Sequence, residues 1–223
     1  MKKLFSLTLA VFTALIFMTA VSAQEEGEAP DAKKLYDGLS ERIKNIKSYR
    51  LIFEYTEYIP KKKTEEWRKC EFWFMGRDFM RLEVLDGVDK GSKVAYNVKR
   101  KKNKAYAKAG YMPLAIPIAK DDERIEGFFK SDWESDLKSM AEKTKDAEFS
   151  LAGEEKIKGR DAYKIEISIS DEEAEHDRIL LWIDKKESIL LQYENYKDEK
   201  FADRKTWYEI ELDVEMNPKS FKP

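Results

Sequence analysis

Nucleophilic and acid–base chemistry needs a base beside the reacting group, and this sequence offers few such pairs. Its one histidine, His176, lies in Asp171-Glu172-Glu173-Ala174-Glu175-His176-Asp177. That is a charged turn between two strand-like segments, where an imidazole is expected to be solvated. Its one cysteine, Cys70, lies mid-strand among aromatics with no basic neighbour facing the same way, the pattern of a buried, inert thiol. One cysteine excludes an intramolecular disulfide and any multi-cysteine zinc or iron–sulfur centre, and one histidine cannot build a histidine-rich metal site. The acid clusters Asp121-Asp122-Glu123 and Asp171–Glu173 lack the alternating ligands and turn glycine of a calcium loop. Among 44 acidic residues, no carboxylate pair stands out for glycoside chemistry. The expectation is a protein without catalytic constellation, metal or cofactor.

Two basic turns remain, Lys61-Lys62-Lys63 and Lys99-Arg100-Lys101-Lys102 with Lys104. They could touch anionic head groups, but as tips of hairpins at opposite ends of a meander they read as solvated turns. The chain carries 42 Lys+Arg against 44 Asp+Glu, a formal net charge of −2 over 223 residues. That balance argues against general nucleic-acid binding, which needs net positive charge facing phosphate.

The elements that would position any site begin with an address. Met1-Lys2-Lys3 is a basic n-region, Leu4–Ala20 is apolar and uncharged, and Val21-Ser22-Ala23 offers small residues at a cleavage site. Residues 1–23 therefore read as a signal peptide cleaved after Ala23, and residues 24–30 as a disordered acidic leader. Gln24 stands where a lipoprotein would need cysteine, so the expectation is a soluble, exported, periplasmic protein that is not itself a lipoprotein.

Residues 31–223 read as a single domain. Leu35, Leu39, Ile43 and Ile46 form the apolar stripe of an amphipathic helix starting at Pro30-Asp31. From Tyr49 the period becomes two: Tyr49, Leu51, Phe53 and Tyr55 alternate with Arg50, Ile52, Glu54 and Thr56. Further strands are predicted at Glu66–Met75, with Cys70, Phe72 and Phe74 on one face, and at Phe79–Leu85, Lys93–Val98 and Lys104–Lys108. Gly110–Phe129 breaks this rhythm; two prolines interrupt its apolar Tyr111–Ala119 run, which suits a lid and excludes a central strand. A second helix is predicted behind a Ser131/Glu134 capping box, burying Trp133, Leu137, Met140 and Ala141. Strands resume at Glu148–Ile157, at Tyr163, Ile165, Ile167 and Ile169, at Ile179–Ile183, at Ile189–Tyr196 and at Thr206–Val214. In the last, Tyr208, Ile210, Leu212 and Val214 are expected to face in and Trp207 out. Ile179–Ile183 is apolar throughout, so both its faces are expected to be covered.

This order of elements resembles the LolA/LolB-type fold, a family that includes periplasmic carriers of outer-membrane lipoproteins and the sensing domain of RseB/MucB regulators. The residues carrying the resemblance are Ile46-Lys47-Ser48-Tyr49-Arg50-Leu51, Gly91-Ser92-Lys93-Val94-Ala95-Tyr96-Asn97 and Ile157-Lys158-Gly159-Arg160-Asp161-Ala162-Tyr163. Leu181-Trp182-Ile183-Asp184-Lys185, Leu190-Leu191-Gln192-Tyr193 and the late Phe221 extend it. The resemblance implies an α+β, mostly antiparallel β fold: an unclosed half β-barrel of about ten strands, with helices covering a concave hydrophobic face. It implies a non-catalytic carrier for the acyl chains of a lipoprotein or lipid, used in outer-membrane lipoprotein sorting. The ligand would lie against Leu51, Phe53, Tyr55, Phe72, Phe74, Tyr163, Ile165 and Ile167. Met112, Leu114, Ile116 and Ile118 would form a lid. Arg77 in Gly76-Arg77-Asp78 is the nearest match to the family's gating arginine, without its usual proline neighbour. Partners implied are an acylated lipoprotein or lipid and a membrane-protein donor or acceptor, with no nucleic acid and a monomeric chain. The other reading is a non-catalytic envelope sensing or scaffold module that binds a protein partner; RseB-type sensors carry a second domain beyond this length.

Overall fold

The computed structural model describes residues 29–222 apart from 145 and 172. The signal peptide and cleavage site read from the sequence lie outside the described residues. The first half of the sheet is β1 (Ser48–Ile59), β2 (Thr64–Met75), β3 (Phe79–Gly87), β4 (Lys93–Asn97), β5 (Lys104–Lys108) and β6 (Ile116–Ala119). The second is β7 (Glu148–Ile157), β8 (Arg160–Ser168), β9 (Arg178–Asp184), β10 (Leu190–Lys197) and β11 (Lys200–Leu212). All eleven join one antiparallel sheet in the order β6-β5-β4-β3-β2-β1-β11-β10-β9-β8-β7. Each half is a meander, β1 meets β11 in the middle, and among the described residues β6 and β7 are the edges. The barrel is therefore unclosed, as the resemblance implies.

Among the described residues three α-helices accompany the sheet: α1 (Ala32–Asn45), α2 (Glu126–Phe129) and α3 (Trp133–Lys143). Asp31 caps α1, accepting the Lys34 N–H at 2.7 Å, and Tyr36, Leu39 and Ile43 are buried along one side. Ile125 and Phe128, around the short α2, join the same core, and Phe129 meets Tyr96 edge-on. The predicted wall of the concave face is continuous, with Tyr49, Leu51, Phe53, Phe72, Phe74, Ile165 and Ile167 all buried in one cluster. β9 is buried from Ile179 to Ile183. On its outer side Trp182 lies under the Lys164 ammonium and donates to Glu155 at 3.0 Å, so long polar side chains supply the second cover. Phe221 returns to pack against Trp73 and Phe79.

One local expectation is extended and three are corrected. The proline-interrupted run stays out of the sheet's centre, as expected, but contains a strand: β6 pairs with β5, placing Pro117 opposite Tyr106. It is an edge strand, the sheet position where a missing N–H costs least. The cap of α3 is Asp132, which accepts the Ser135 N–H at 3.1 Å, whereas Ser131 donates its hydroxyl to the Gly127 carbonyl. Ala141 is exposed rather than part of the buried stripe. Finally, Trp207 faces in and Tyr208 faces out. Phe53 pairs with Trp207 and Tyr49 with Leu212, because β11 carries one extra residue opposite Leu51. Glu209 takes a φ of 49° there, and a bulge of this kind reverses which side chains point inward.

Candidate ligand-binding site

The sheet builds the wall, and α3 closes it. Trp133, at the start of α3, is 1% exposed. Its ring centroid lies 4.6 Å from that of Tyr49 and 6.3 Å from that of Trp207. It fills the middle of the concave face like a plug. The Tyr49 hydroxyl accepts the Trp133 N–H at 3.3 Å, fixing the first turn of the helix to β1. Burial pushes the Tyr49 phenol well above its ordinary value, so it stays a neutral hydroxyl.

A half-exposed arginine fastens the same turn from outside. Arg77, in the β2–β3 turn, directs one guanidinium nitrogen at Asp132 and Glu134, each at 3.4 Å, and at the Ser135 hydroxyl at 3.2 Å. Beside it a cleft of about 340 Å³ runs from Arg77 and Asp132 down to Tyr49 and Phe74. A second cleft of about 280 Å³ separates α1 from α3 and is lined mainly by Ile43, Leu137, Ala141 and the stems of Lys44 and Lys138. Together they form a slot between the two helices that leads toward the aromatic wall.

From its first turn to its C-terminal end α3 is also held by a polar cluster that periodicity could not reveal. Lys205 projects from the concave face of β11, is 5% exposed, and donates to Asp136 at 2.7 Å and to the Ser131 carbonyl at 3.2 Å. Phe53 and Trp207 flank its ammonium at 4.9 and 5.1 Å, so a full positive charge sits inside the apolar wall. Burial pushes the Asp136 carboxyl up to about 6, against the opposing pull of Lys205. Asp203 is likewise raised by burial, and it accepts both contacts from the Asn195 amide at 3.1 Å.

His176 belongs to this cluster, which corrects its reading as a solvated turn residue. It is 6% exposed, with Nδ1 3.4 Å from the Lys143 ammonium and Nε2 3.6 Å from Asp203. The β8–β9 connection folds back under the C-terminal end of α3, and Lys143 also pairs with Glu175 at 2.7 Å. Burial, reinforced by Lys143, lowers the His176 pKa and keeps the ring neutral. A cavity of about 180 Å³ lies among Tyr55, Asp136, Ser139, His176, Asn195 and Asp203. The sequence signal for it was a lysine and an aspartate at inward positions of a strand next to the one carrying Tyr55. It becomes readable once the bulge at Glu209 is placed.

The predicted wall residues converge, with Tyr55 and Tyr163 half-buried at its ends. The segment named as lid does not act as one body. Ile118 is buried beside Ala105, Met112 is half-buried, and Leu114 and Ile116 are exposed. Cys70 is buried, and that burial pushes its thiol up to about 12, far from the range of a nucleophile. Arg68, two residues back on the same face, corrects the expectation that no basic residue shares it, but burial outweighs the pull of Lys205 and Arg68.

A family model described as an uncharacterised protein matches residues 111–212. No curated protein matches the sequence. Among solved structures, the complex of Pseudomonas aeruginosa MucA/MucB aligns with a TM-score of 0.54 at 15% identity, covering 87% of this chain and 61% of that one. An uncharacterised conserved protein from Thermus thermophilus aligns at 0.51 and 10% identity, covering 86% and 93%. A LolA superfamily protein from Nitrosomonas europaea aligns at 0.41 and 11% identity, covering 87% and 99%. At these identities the likeness is one of fold, and the fold shared with MucB is the one the sequence resembles.

Proposed function

We propose that this chain is an exported, non-catalytic binding protein that takes the acyl chain of a lipoprotein or lipid into the space between the concave sheet and α3. In this reading residues 1–23 are removed on export and residues 31–223 act as one domain. The observation that carries it is the construction of the cover. An apolar wall running across both meanders is sealed by helices that belong to neither, fastened by polar contacts at their ends and separated by a slot. An acyl chain entering there gains about 0.8 kcal/mol per buried methylene, offset by the ordering costs of binding. Trp133 is the side chain it would displace, and Arg77 is the contact that would have to release first. The exposed Leu114 and Ile116 would stand at the rim rather than over the wall.

The protein-partner reading keeps one specific observation in its favour: the wall is already filled by side chains of the chain itself. Native mass spectrometry separates the two. The exported chain, expected to begin at Gln24, is purified from cell envelopes and extracted for acyl chains. Near-stoichiometric lipid or acylated peptide supports the carrier; a bare mass with no uptake of an apolar fluorescent probe overturns it. Arg77→Ala sharpens the test. Arg77 is half-exposed, and without it the buried Asp132 keeps its bonds to the Ser135 N–H and hydroxyl, so the variant should stay folded while taking up the probe about threefold to fivefold faster. Unchanged uptake kinetics would remove Arg77 from the gate.

A further inference from the structure

The two most exposed large apolar side chains among the described residues lie in one loop. Tyr111 is 89% exposed and Leu114 75%, with Ile116 40% exposed just beyond. The loop stands on a fixed stem. Gly110 donates its N–H to the Ser92 hydroxyl at 3.1 Å, and a Cβ at Gly110 would lie 2.1 Å from the Lys90 carbonyl oxygen. Such close packing holds the base of the loop while its apolar tip points into water, an arrangement that marks an interaction site rather than a core.

The charge around the tip identifies the partner. From Lys93 to Lys120 the sequence carries eight basic residues and no acid, in a chain whose net charge is −2. Of the eight, Lys93 alone is ion-paired among the described residues, to Glu83 at 2.8 Å. Lys104, Tyr106 and Lys108 alternate along β5 and so share one face, and Arg100 lies 4.0 Å over the Tyr106 ring. The face thus runs from the basic turn 99–102, along β5, to the apolar tip. A protein strand adding to this edge is disfavoured, because β6 has four residues and one is Pro117.

We propose that the β4–β6 edge is a docking face for an anionic lipid bilayer, with Tyr111 and Leu114 entering the interface and the lysines of the 99–108 region facing head groups. An aromatic and an aliphatic anchor beside unpaired cations is the combination that binds such a surface. This face is separate from the slot beside α3 and does not depend on an acyl chain binding there.

The test uses the chain from Gln24 onward, which contains every described residue and lacks the apolar leader. It is co-sedimented with phosphatidylcholine vesicles with or without about 30 mol% phosphatidylglycerol, whose surface potential attracts basic segments. Partition into the anionic vesicles should exceed that into the neutral ones at least tenfold and fall steeply at about 0.5 M salt, where charges are screened. Leu114→Asp with Tyr111→Ser, and separately Lys101→Glu with Lys102→Glu, should each cut it about tenfold or more while leaving the thermal transition unchanged. Equal partition into both vesicles, no partition at all, or unchanged binding by either pair of variants would overturn the docking face. Binding of an anionic peptide by this face in place of vesicles would overturn it equally.

Discussion

Asp136→Ala should destabilise the protein by about 3–5 kcal/mol near neutral pH, the cost of leaving a buried charge without its counter-charge. The stranded charge is Lys205, which keeps the Ser131 carbonyl and the faces of Phe53 and Trp207 as its remaining company. The effect follows from the missing partner more than from the strength of the pair. Asp136→Leu combined with Lys205→Met should therefore return to within about 1 kcal/mol of the parent, since apolar replacements of a buried pair are often neutral. Urea denaturation of the parent, each single variant and the double variant measures this. A double variant as unstable as the single would show that the pair itself is the source of stability.

The same carboxylate gives the stability a pH dependence of definite sign. Asp136 titrates near 6 in the folded protein and near 3.9 in an unfolded chain. Between these values the folded state holds the extra proton, so stability from this group is complete below about pH 4 and declines as pH rises through about 6. Between pH 7.5 and 5 the gain on acidification should be about 1–2 kcal/mol. Asp203, also raised by burial, adds to it in the same direction. His176, whose pKa is lowered, opposes it, because the unfolded ring takes up a proton first as pH falls through about 6.5. Asp136→Asn isolates the carboxylate: its stability should lack that part of the slope. A variant with the parent's slope would mean that Asp136 is charged throughout. If α3 must lift to admit a ligand, its hold is thus firmer in mild acid than at neutral pH.

Trp133→Ala should cost about 3–5 kcal/mol, the range for emptying a buried aromatic site, yet should bind an apolar probe about tenfold more tightly than the parent. Trp133 is the plug against Tyr49 and Trp207, and its removal leaves an apolar void of the kind that stays dry and takes apolar ligands. The two effects have opposite implications for the two functional readings. Lost stability with gained uptake places the ligand under α3; lost stability alone favours a filled module that meets a protein partner. Trp67→Ala, at an outward-facing position of β2, is the control, expected to change stability by no more than about 0.5 kcal/mol.

Periodicity made most of the sheet legible. Alternation at Tyr49–Tyr55, Cys70–Phe74 and Ile165–Ile167 assigned the inward residues correctly, because a half-buried strand writes its buried face into every second position. It failed at Trp207 and Tyr208, where one extra residue at Glu209 reverses the parity of β11, and a bulge without a glycine leaves little trace in sequence. It also left β6 unassigned, since Pro117 reads as a strand breaker until the segment is known to lie at an edge. His176 was misread because its neighbours in sequence are acidic and hydrophilic, whereas its neighbours in space are Lys143 and Asp203.

The sequence by itself determined the antiparallel open sheet, the two long amphipathic helices and the apolar wall. These follow from local pattern, and burying an apolar face is favourable whatever lies opposite. Only the tertiary structure decided that Trp133 fills the wall, that Arg77 fastens α3 and that Lys205 is paired inside the core. Each of these joins residues far apart in sequence, and the free energy of a buried charge or a filled cavity depends on the atoms that meet it, which no single segment encodes.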